Sequence, residues 1–211
     1  MHSKLARPVI IGLVGGIASG KSFVGELLEK HGALRIDADK LGHEVLREQG
    51  VRERLIELWG PGIINQNGEI DRQSIATLVF GDDEPTSSRR LQLEQIVHPR
   101  IRNLAEQRIA NARAASQTPA AIVIDAPLLL EAGWEPLCDF ILFIDAPFET
   151  RVDRALKRGW SREQFDAREA SQLSLNEKRS RATHFIDSSS EANLIEAINR
   201  LWNEISTVVG N

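Results

Sequence analysis

The sequence of 211 residues has few of the features that mark secreted, membrane-spanning or zinc-binding proteins. Its one cysteine, Cys138, can form no disulfide within the chain and cannot supply a cysteine-rich metal site, so a reducing compartment such as the cytoplasm is expected. The five histidines are scattered and include no H-E-x-x-H pattern. A structural zinc ion is therefore not expected.

Long apolar segments and an excess of positive charge are also missing. The apolar run at residues 9–14 is followed by glycines and is too short for a secretory signal or a membrane span. The formal net charge of −4 produces no overall field that favours nucleic acid or an anionic membrane, so neither partner is expected. The 42% of apolar residues is typical of a globular chain with one sizeable core.

Apolar runs that end at turn or acidic residues predict five β-strands, at residues 9–14, 34–36, 121–124, 140–144 and 184–186. Helical patterns lie between them, at residues 23–30, 41–48, 51–59, 72–80, 88–116 and 191–208. Gly32 is predicted to end the first helix, and Asp71 to cap the helix that begins at Arg72. This alternation predicts a three-layer α/β/α fold, in which helices cover both faces of a five-stranded parallel sheet.

Two helical segments interrupt the alternation, at about residues 40–116 and 148–182. Neither is a Gly/Ser-rich linker, and the chain contains no internal repeat or low-complexity tract. We therefore expect a single unit in which both segments are folded appendages. Its core would comprise about residues 8–39, 117–147 and 183–211.

The strongest motif is Gly15-Gly16-Ile17-Ala18-Ser19-Gly20-Lys21-Ser22, which fits G-x-x-x-x-G-K-[ST] between a predicted strand and a predicted helix. Backbone N–H groups of such a loop surround phosphates, the lysine bridges β- and γ-phosphate oxygens, and the serine hydroxyl binds Mg²⁺. The alternative is a glycine-rich turn with an exposed lysine. The motif predicts a P-loop that binds Mg·ATP through Gly16, Ile17, Ala18, Ser19, Gly20, Lys21, Ser22 and Phe23, with Lys21 also acting in catalysis.

A P-loop alone does not separate kinases from GTPases or motor ATPases. A regulatory GTPase needs a guanine-recognising N-K-x-D sequence, and that tetrapeptide is absent. The D-x-x-G match at residues 39–42 is a weak pattern by comparison. A kinase of a small hydroxyl compound is therefore favoured, and a slow nucleotide-binding regulator is the alternative from another class.

Acidic residues follow the predicted strands, and ligands of open α/β sheets bind beyond the carboxyl ends of strands. Asp39, just beyond the second strand, is the candidate catalytic carboxylate for the acceptor hydroxyl, and Asp37 is a candidate for holding Mg²⁺ through water. Capping of the helix near Leu41 is an equally good interpretation of both. Asp125 ends the third strand in the manner of a Walker B carboxylate, and Asp145 ends the fourth in the same way. We prefer Asp125 because residues 127–131 resemble a structured site loop, although a cap or turn role stays open for both.

Residues 150–181 contain nine basic and five acidic residues. Arg151, Arg154 and Arg158 recur at spacings of three and four, which places them on one face of a helix. Such a face is typical of a lid that closes over ATP and brings guanidinium groups to the transferred phosphoryl group. An ordinary solvated face with ion pairs is the alternative for any single arginine.

In order and spacing, these motifs resemble those of the dephospho-CoA kinase family over about residues 9–201. The matching segments are Gly-Leu-Val-Gly-Gly-Ile-Ala-Ser-Gly-Lys-Ser at 12–22, Ile-Asp-Ala-Asp at 36–39, Gly68 with Asp71-Arg72, Val-His-Pro at 97–99, Asp-Ala-Pro-Leu-Leu-Leu-Glu at 125–131, Arg168 with Gln172, and Phe-Ile-Asp at 185–187. The resemblance implies a nucleoside-monophosphate-kinase-like fold that phosphorylates the ribose 3′-hydroxyl of dephospho-CoA with Mg·ATP, the last step of coenzyme A synthesis.

The resemblance also implies roles for the two inserted segments and for individual residues. Residues 40–116 would bind the CoA substrate and residues 148–182 would form the lid. Asp39 matches the catalytic aspartate of the family, Arg154 its lid arginine, which is expected to contact phosphates and act in catalysis, and His98-Pro99 its His-Pro turn. Without the resemblance, His98 is interpreted as a helix-packing histidine and Pro99 as a helix kink. Substrate contacts are expected at Asp39, Arg72, His98, Pro127 and Leu128. The expected partners are the small molecules ATP and dephospho-CoA, and the expected state is a monomer or weak homo-oligomer.

Three residues depart from the family pattern: Val14 and Phe23 stand where threonines are usual, and Ser188 where an asparagine commonly follows Ile-Asp. The hydroxyl missing at Val14 is expected to change rate or affinity rather than the reaction. Phe23 is interpreted as a packing residue. Ser188 weakens the expectation of an adenine contact at that position.

Overall fold

Five parallel strands form one sheet in this computed structural model, which describes residues 7–79 and 83–209, without the side chains of 208 and 209. The strands are β1 (Val9–Gly15), β2 (Leu34–Asp37), β3 (Ala121–Asp125), β4 (Phe140–Asp145) and β5 (His184–Asp187). Their order is β2-β3-β1-β4-β5, and every neighbouring pair is parallel. The predicted five-stranded parallel sheet is confirmed. Each strand starts at the predicted residue and extends one residue further, to a glycine or an aspartate, because pairing with the neighbouring strand continues past the apolar run.

The helices are α1 (Lys21–Lys30), α2 (Ala38–Val45), α3 (Gln49–Trp59), α4 (Arg72–Val79), α5 (Glu84–Ala114), α6 (Phe148–Lys157), α7 (Arg162–Ala170), α8 (Leu175–Ser180) and α9 (Glu191–Val209). Four helices begin before their predicted starts: α1 and α3 by two residues, α2 by three and α5 by four. The residues added at these starts are mostly polar and carry no apolar periodicity. The predicted end of α2 was also wrong, since the helix stops three residues earlier, at Val45. Phe80, the predicted end of α4, lies outside the described residues. In the described ranges no helix is long and apolar enough to cross a membrane.

Two predicted helix boundaries have the expected chemistry. The chain leaves α1 through Gly32 at φ 104°, a left-handed conformation that favours glycine. Asp71 accepts a hydrogen bond from the backbone N–H of Gln73 at 3.0 Å and from the hydroxyl of Ser74 at 2.6 Å, so it caps α4 as predicted. Serine caps at the starts of α7 and α8 form complete capping boxes that the sequence analysis did not identify.

The sheet is covered on both faces, since every residue of β3 and nearly every residue of β1 is buried. Ile11 and Leu13 of β1 belong to a cluster that includes Val24 of α1 and Ile198 of α9. This burial explains why β1 and β3 are almost continuously apolar. The P-loop therefore follows a strand that is buried along almost its whole length.

The chain divides into two compact units, one of Met1–Asp37 with Arg108–Asn211 and the other of Ala38–Gln107. The first contains the sheet, and α6, α7 and α8 belong to it. The second has its own apolar core, built from Val45, Val51, Leu55, Ile63, Ile70, Ile75, Val79 and Val97. Each unit therefore has the buried apolar cluster that a folded body needs.

Gly12, in the middle of β1, has almost no free space beside it. A Cβ atom at this position would lie 2.7 Å from Cys138 Sγ, 2.9 Å from Ile141 Cδ1 and 3.0 Å from Leu129 Cδ1. We therefore expect Gly12→Ala to lower the free energy of unfolding by about 1 to 3 kcal/mol through overpacking. Urea denaturation followed by circular dichroism measures this difference.

Cys138 supplies the control for this prediction. Burial raises the pKa of its thiol to about 12, so the side chain acts as a small neutral group at the contact. Adding Cys138→Ala removes the closest clashing atom, so the double variant should lose less stability than the sum of the single variants. Strict additivity, or a Gly12→Ala variant as stable as the parent, would contradict the packing argument.

Candidate active site

The P-loop connects the buried end of β1 to the start of α1. Gly20 has φ 106°, and Ala18, at φ 57°, is the one non-glycine residue with a positive φ in the described part of the chain. Successive turns of this kind direct backbone N–H groups towards one point and form an anion-binding concavity. The predicted strand, loop and helix therefore occur together, and Lys21 is half-buried rather than exposed.

Lys21 folds back over this loop. Its Nζ donates hydrogen bonds to the carbonyl oxygens of Gly15 and Gly16, both at 3.0 Å. The pKa of Lys21 is lowered to about 8, chiefly by burial and then by the nearby Lys178 ammonium, while Asp125, Glu131 and Glu169 act in the opposite direction. The half-buried ammonium is thus held against the backbone of the P-loop.

Arg154 and Ser188 hold the middle of the loop. The guanidinium of Arg154 donates to the carbonyl oxygen of Ser19 at 3.1 Å and to that of Ser188 at 2.7 Å. Ser188 is fully buried, and its hydroxyl donates to the same Ser19 carbonyl at 2.8 Å. A Cβ atom at Gly20 would come within 3.0 Å of that hydroxyl. The serine found in place of the usual asparagine therefore braces the P-loop.

Arg151 and Glu169 hold the first part of the loop. Arg151 is 2% exposed, and its guanidinium lies against the rings of Phe148 and Phe165. It donates to both carboxylate oxygens of Glu169, at 2.7 and 2.8 Å. The backbone N–H of Ile17 donates to Glu169 at 3.3 Å, and the Ile17 carbonyl accepts from Arg151 at 3.4 Å. The solvated-face alternative therefore fails for Arg151. Glu169 was missed, because a single glutamate in a basic segment carries no pattern.

Asp37 and Asp125 end neighbouring strands in register. Between them lies Arg35, whose Nη2 donates to Asp125 Oδ2 at 2.6 Å and is 3.6 Å from Asp37 Oδ2. The Arg35 and Asp125 side chains are only 8% and 7% exposed. Gly25 of α1 makes this possible, since a Cβ atom there would lie 2.8 Å from Arg35 Nε. Asp145 differs: it is partly exposed and pairs with Arg179 at 2.7 Å.

These groups fit the Mg²⁺ ion expected with ATP. Ser22, Asp37 and Asp125 are all oxygen donors, which Mg²⁺ prefers, and such ions usually keep several waters and bind phosphate oxygens. Because Asp125 Oδ2 accepts from Arg35, Asp125 would reach the ion through Oδ1 and water. Within residues 7–79 and 83–209 no group of three or more His, Cys, Asp or Glu side chains could hold a metal ion. The donor set therefore suits an ion that is bound partly by the nucleotide.

A cavity of about 310 Å³ opens beside Gly20. Its lining comprises Gly20, Phe23, Arg154, Lys157, Arg158, Ser188, Glu191 and Leu194. Phe23 also packs partly against the core cluster under the sheet, as its interpretation as a packing residue implied. The cavity adjoins the P-loop and offers apolar and cationic groups, so it suits the nucleoside part of ATP.

Asp39, Arg72 and His98 all lie in the unit formed by residues 38–107. Asp39 is exposed in the first turn of α2, and Arg72 begins α4. Arg72 lines a cavity of about 340 Å³ together with His43, Leu46, Arg47, Asn65, Glu69, Ile70 and Asp71. The predicted His-Pro turn is wrong: His98 is exposed on α5, and Pro99 lies inside the same helix.

Pro127 and Leu128 lie in the sheet-containing unit, immediately after β3. The backbone turns here, with hydrogen bonds from Leu129 N to Ala126 O at 3.2 Å and from Ala132 N to Leu128 O at 2.8 Å. The expectation of a structured loop after Asp125 is thus confirmed. Contact of this loop with substrate stays a prediction.

Removing the Arg154 side chain tests whether its hydrogen bonds to Ser19 and Ser188 hold the P-loop. The sequence predicts mainly a loss of turnover, but the contacts with Ser19 and Ser188 add an expected loss of ATP affinity. We expect Arg154→Ala to lower kcat and raise KM for ATP, each by roughly tenfold, through loss of charged hydrogen bonds. Steady-state kinetics measure both, and Arg113→Ala, at an exposed site on α5, is the control. Unchanged kcat and KM would contradict the assignment.

The similarities to known proteins agree with this geometry. The sequence profile of dephospho-CoA kinase matches residues 9–193. The dephospho-CoA kinase of Geobacter sulfurreducens is 40% identical over 196 residues, which are 92% of this chain and 96% of the relative. That of Deinococcus radiodurans is 38% identical over 195 residues, or 92% of this chain and 90% of the relative.

Solved structures give the same result. A Thermus thermophilus protein has a TM-score of 0.76 at 34% identity, covering 94% of this chain and 98% of that one. A dephospho-CoA kinase from Campylobacter jejuni has a TM-score of 0.67 at 24% identity, covering 96% and 100%, and shows likeness of fold. A shikimate kinase from Bacteroides thetaiotaomicron shares the fold at a TM-score of 0.52 and 12% identity, covering 94% and 98%. With a P-loop on a five-stranded parallel sheet and a family profile that spans most of its length, the chain belongs to the dephospho-CoA kinase family.

Proposed function

We propose that this protein transfers the γ-phosphoryl group of ATP to the ribose 3′-hydroxyl of dephospho-CoA, which yields coenzyme A and ADP. The observation that carries the proposal is the P-loop with Lys21 hydrogen-bonded to its backbone and with Asp37 and Asp125 at the ends of neighbouring strands. The chain that carries this loop belongs to the dephospho-CoA kinase family. Phosphoryl transfer depends mainly on positioning and electrostatic stabilisation, and the loop supplies both.

The proposed mechanism assigns one role to each group. Backbone N–H groups of the P-loop hold the phosphates, and Lys21 stabilises the charge on β- and γ-oxygens as the bond to the leaving ADP breaks. Ser22, with Asp37 and Asp125 acting through water, would hold the Mg²⁺ ion that arrives with ATP, and the ion would supply further charge neutralisation. Asp39 accepts a hydrogen bond from the 3′-hydroxyl and takes its proton as the new phosphate ester forms.

The cavity beside Arg72 is the proposed contact for the substrate within residues 38–107. Its two arginines, Arg47 and Arg72, suit the diphosphate of dephospho-CoA, because arginine binds phosphate oxygens in a bidentate manner. We also propose a cytoplasmic location, since a single free thiol is compatible with a reducing compartment. The proposed assembly is a monomer or weak homo-oligomer.

A coupled assay of ADP release from Mg·ATP tests the acceptor. Dephospho-CoA is offered in parallel with AMP, shikimate and gluconate, which represent other small-molecule kinases of related fold. Multiple turnover with dephospho-CoA alone is the expected result. Turnover with another acceptor would reject the substrate and keep the kinase, and ATP binding without turnover on any acceptor would favour a nucleotide-binding regulator.

A further inference from the structure

Lys178 of α8 is a buried cation that the mechanism above does not use. Its side chain is only 3% exposed. Nζ donates to Gln172 Oε1 at 2.7 Å and lies 3.2 Å from Glu131 Oε1. The same Glu131 oxygen accepts from the backbone N–H of Leu173 at 2.9 Å. A side chain that is normally mobile and hydrated is thus held in one position by two acceptors.

This position is next to the P-loop. Leu175, one turn before Lys178 on α8, packs against Gly16, where a Cβ atom would come within 3.1 Å of Leu175 Cδ2. The positive charge of Lys178 is close enough to Lys21 to lower the pKa of that residue. Two lysine ammonium groups therefore share the surroundings of one phosphate-binding loop.

Two neighbouring ammonium groups destabilise the folded protein unless it binds an anion. Removing two like charges from water and bringing them together raises the free energy of the folded state. Glu131 contacts Lys178, but the side chain of Lys21 donates to two backbone carbonyls, and no carboxylate forms an ion pair with it in the described residues. A polyphosphate would interact favourably with both ammonium groups at once.

We propose that Lys178 is a second cationic ligand for the phosphates of ATP, held for that purpose by Glu131 and Gln172. The proposal rests on the proposed function only in requiring that the site binds ATP. Two of the three N–H groups of Lys178 have acceptors among the described residues, which leaves one for a phosphate oxygen. A purely structural Lys178–Glu131 pair is the alternative, and it predicts no preference between nucleotides.

Isothermal titration calorimetry with adenylyl imidodiphosphate and with ADP, both in Mg²⁺, distinguishes the two. Lys178→Met keeps most of the side-chain volume and removes the charge. We expect it to weaken binding of the triphosphate analogue by about tenfold to a hundredfold and binding of ADP by less. Lys178→Arg should restore much of the loss. Lys30→Met, on the exposed last turn of α1, should bind both nucleotides as the parent does.

Affinity of Lys178→Met for the analogue within about twofold of the parent would overturn the proposal, as would equal losses for the analogue and ADP. Should this variant fail to fold by circular dichroism, Gln172→Ala decides instead, because it leaves the lysine and its carboxylate partner in place. Weaker analogue binding with near-normal ADP binding then supports the proposal, and unchanged analogue binding rejects it.

The same titrations separate this inference from the proposed function. A parent protein that binds the analogue but does not phosphorylate dephospho-CoA contradicts the acceptor and leaves the role of Lys178 standing. A parent that phosphorylates dephospho-CoA, with a Lys178→Met variant that binds the analogue normally, contradicts only the role of Lys178. A parent that does not bind the analogue contradicts both.

Discussion

Asp39→Asn is expected to lower kcat by a factor of roughly 10² to 10⁴, the usual contribution of a positioned acid or base. Asparagine has nearly the same shape as aspartate but cannot take the proton of the acceptor hydroxyl. Binding of adenylyl imidodiphosphate should stay close to that of the parent, because the nucleotide is bound by the P-loop. Steady-state kinetics with saturating dephospho-CoA and calorimetry of nucleotide binding measure the two effects.

The control for this variant addresses the helix-capping alternative. Asp39 lies in the first turn of α2, where a carboxylate stabilises the helix by only about 0.3 to 1 kcal/mol. A small loss of stability is therefore expected beside a large loss of turnover. Asp145→Asn, at another strand end but paired with Arg179, should keep near-parent turnover. A near-normal kcat in Asp39→Asn would contradict the catalytic role and leave Asp39 only the role of stabilising the start of α2.

Lys21→Met is expected to lower kcat/KM for ATP by about a hundredfold to a thousandfold. This is the usual effect of removing one preorganised hydrogen-bond donor that stabilises the charge of the transition state. The side chain is desolvated, and burial lowers its pKa to about 8, so its charged form is disfavoured in the folded protein without nucleotide. An uncharged side chain of similar length should therefore leave the free energy of unfolding unchanged or raise it.

Two measurements together make this prediction specific. Kinetics should show loss of function, and urea denaturation in the absence of nucleotide should show no loss of stability. Lys30→Met, which removes an exposed ammonium from the same helix, should change neither quantity by much. A loss of more than about 1 kcal/mol in the free energy of unfolding would contradict this prediction. It would mean that the hydrogen bonds of Lys21 to Gly15 and Gly16 stabilise the loop without nucleotide, and the loss of activity could then not be assigned to nucleotide binding alone.

Local features of the fold could be predicted because their causes lie in neighbouring residues. The five strands begin where apolar runs begin, Gly32 ends α1, and Asp71 caps α4 through a group two residues away. One wrong expectation came from the resemblance rather than from local reasoning. The resemblance implied a turn at His98-Pro99, but Pro99 lies inside α5, as the helical pattern at residues 88–116 predicted, next to Val97, which is buried in the core of residues 38–107. Packing of that apolar face outweighed the loss of one backbone hydrogen bond.

The contacts that hold the site in place could not be found in this way, although spacing did identify Arg151 and Arg154 as candidates. Arg35 contacts Asp125 across 90 positions in the chain, Arg154 contacts Ser19 across 135, and Lys178 meets Glu131 from a different element. No periodicity or spacing relates such pairs. The P-loop itself was recognisable because its function resides in consecutive backbone groups, which need only glycines and a lysine at fixed positions.

The sequence by itself therefore determined the strands, the end of α1, the start of α4 and the phosphate loop, since hydrogen bonds and apolar periodicity within short segments suffice for them. Tertiary structure decided which charged side chains surround the loop. The order β2-β3-β1-β4-β5 places Asp37 beside Asp125, and packing of α6 and α8 brings Arg154 and Lys178 to the loop. Those contacts depend on segments far apart in the chain, and only the folded sheet brings them within hydrogen-bonding distance.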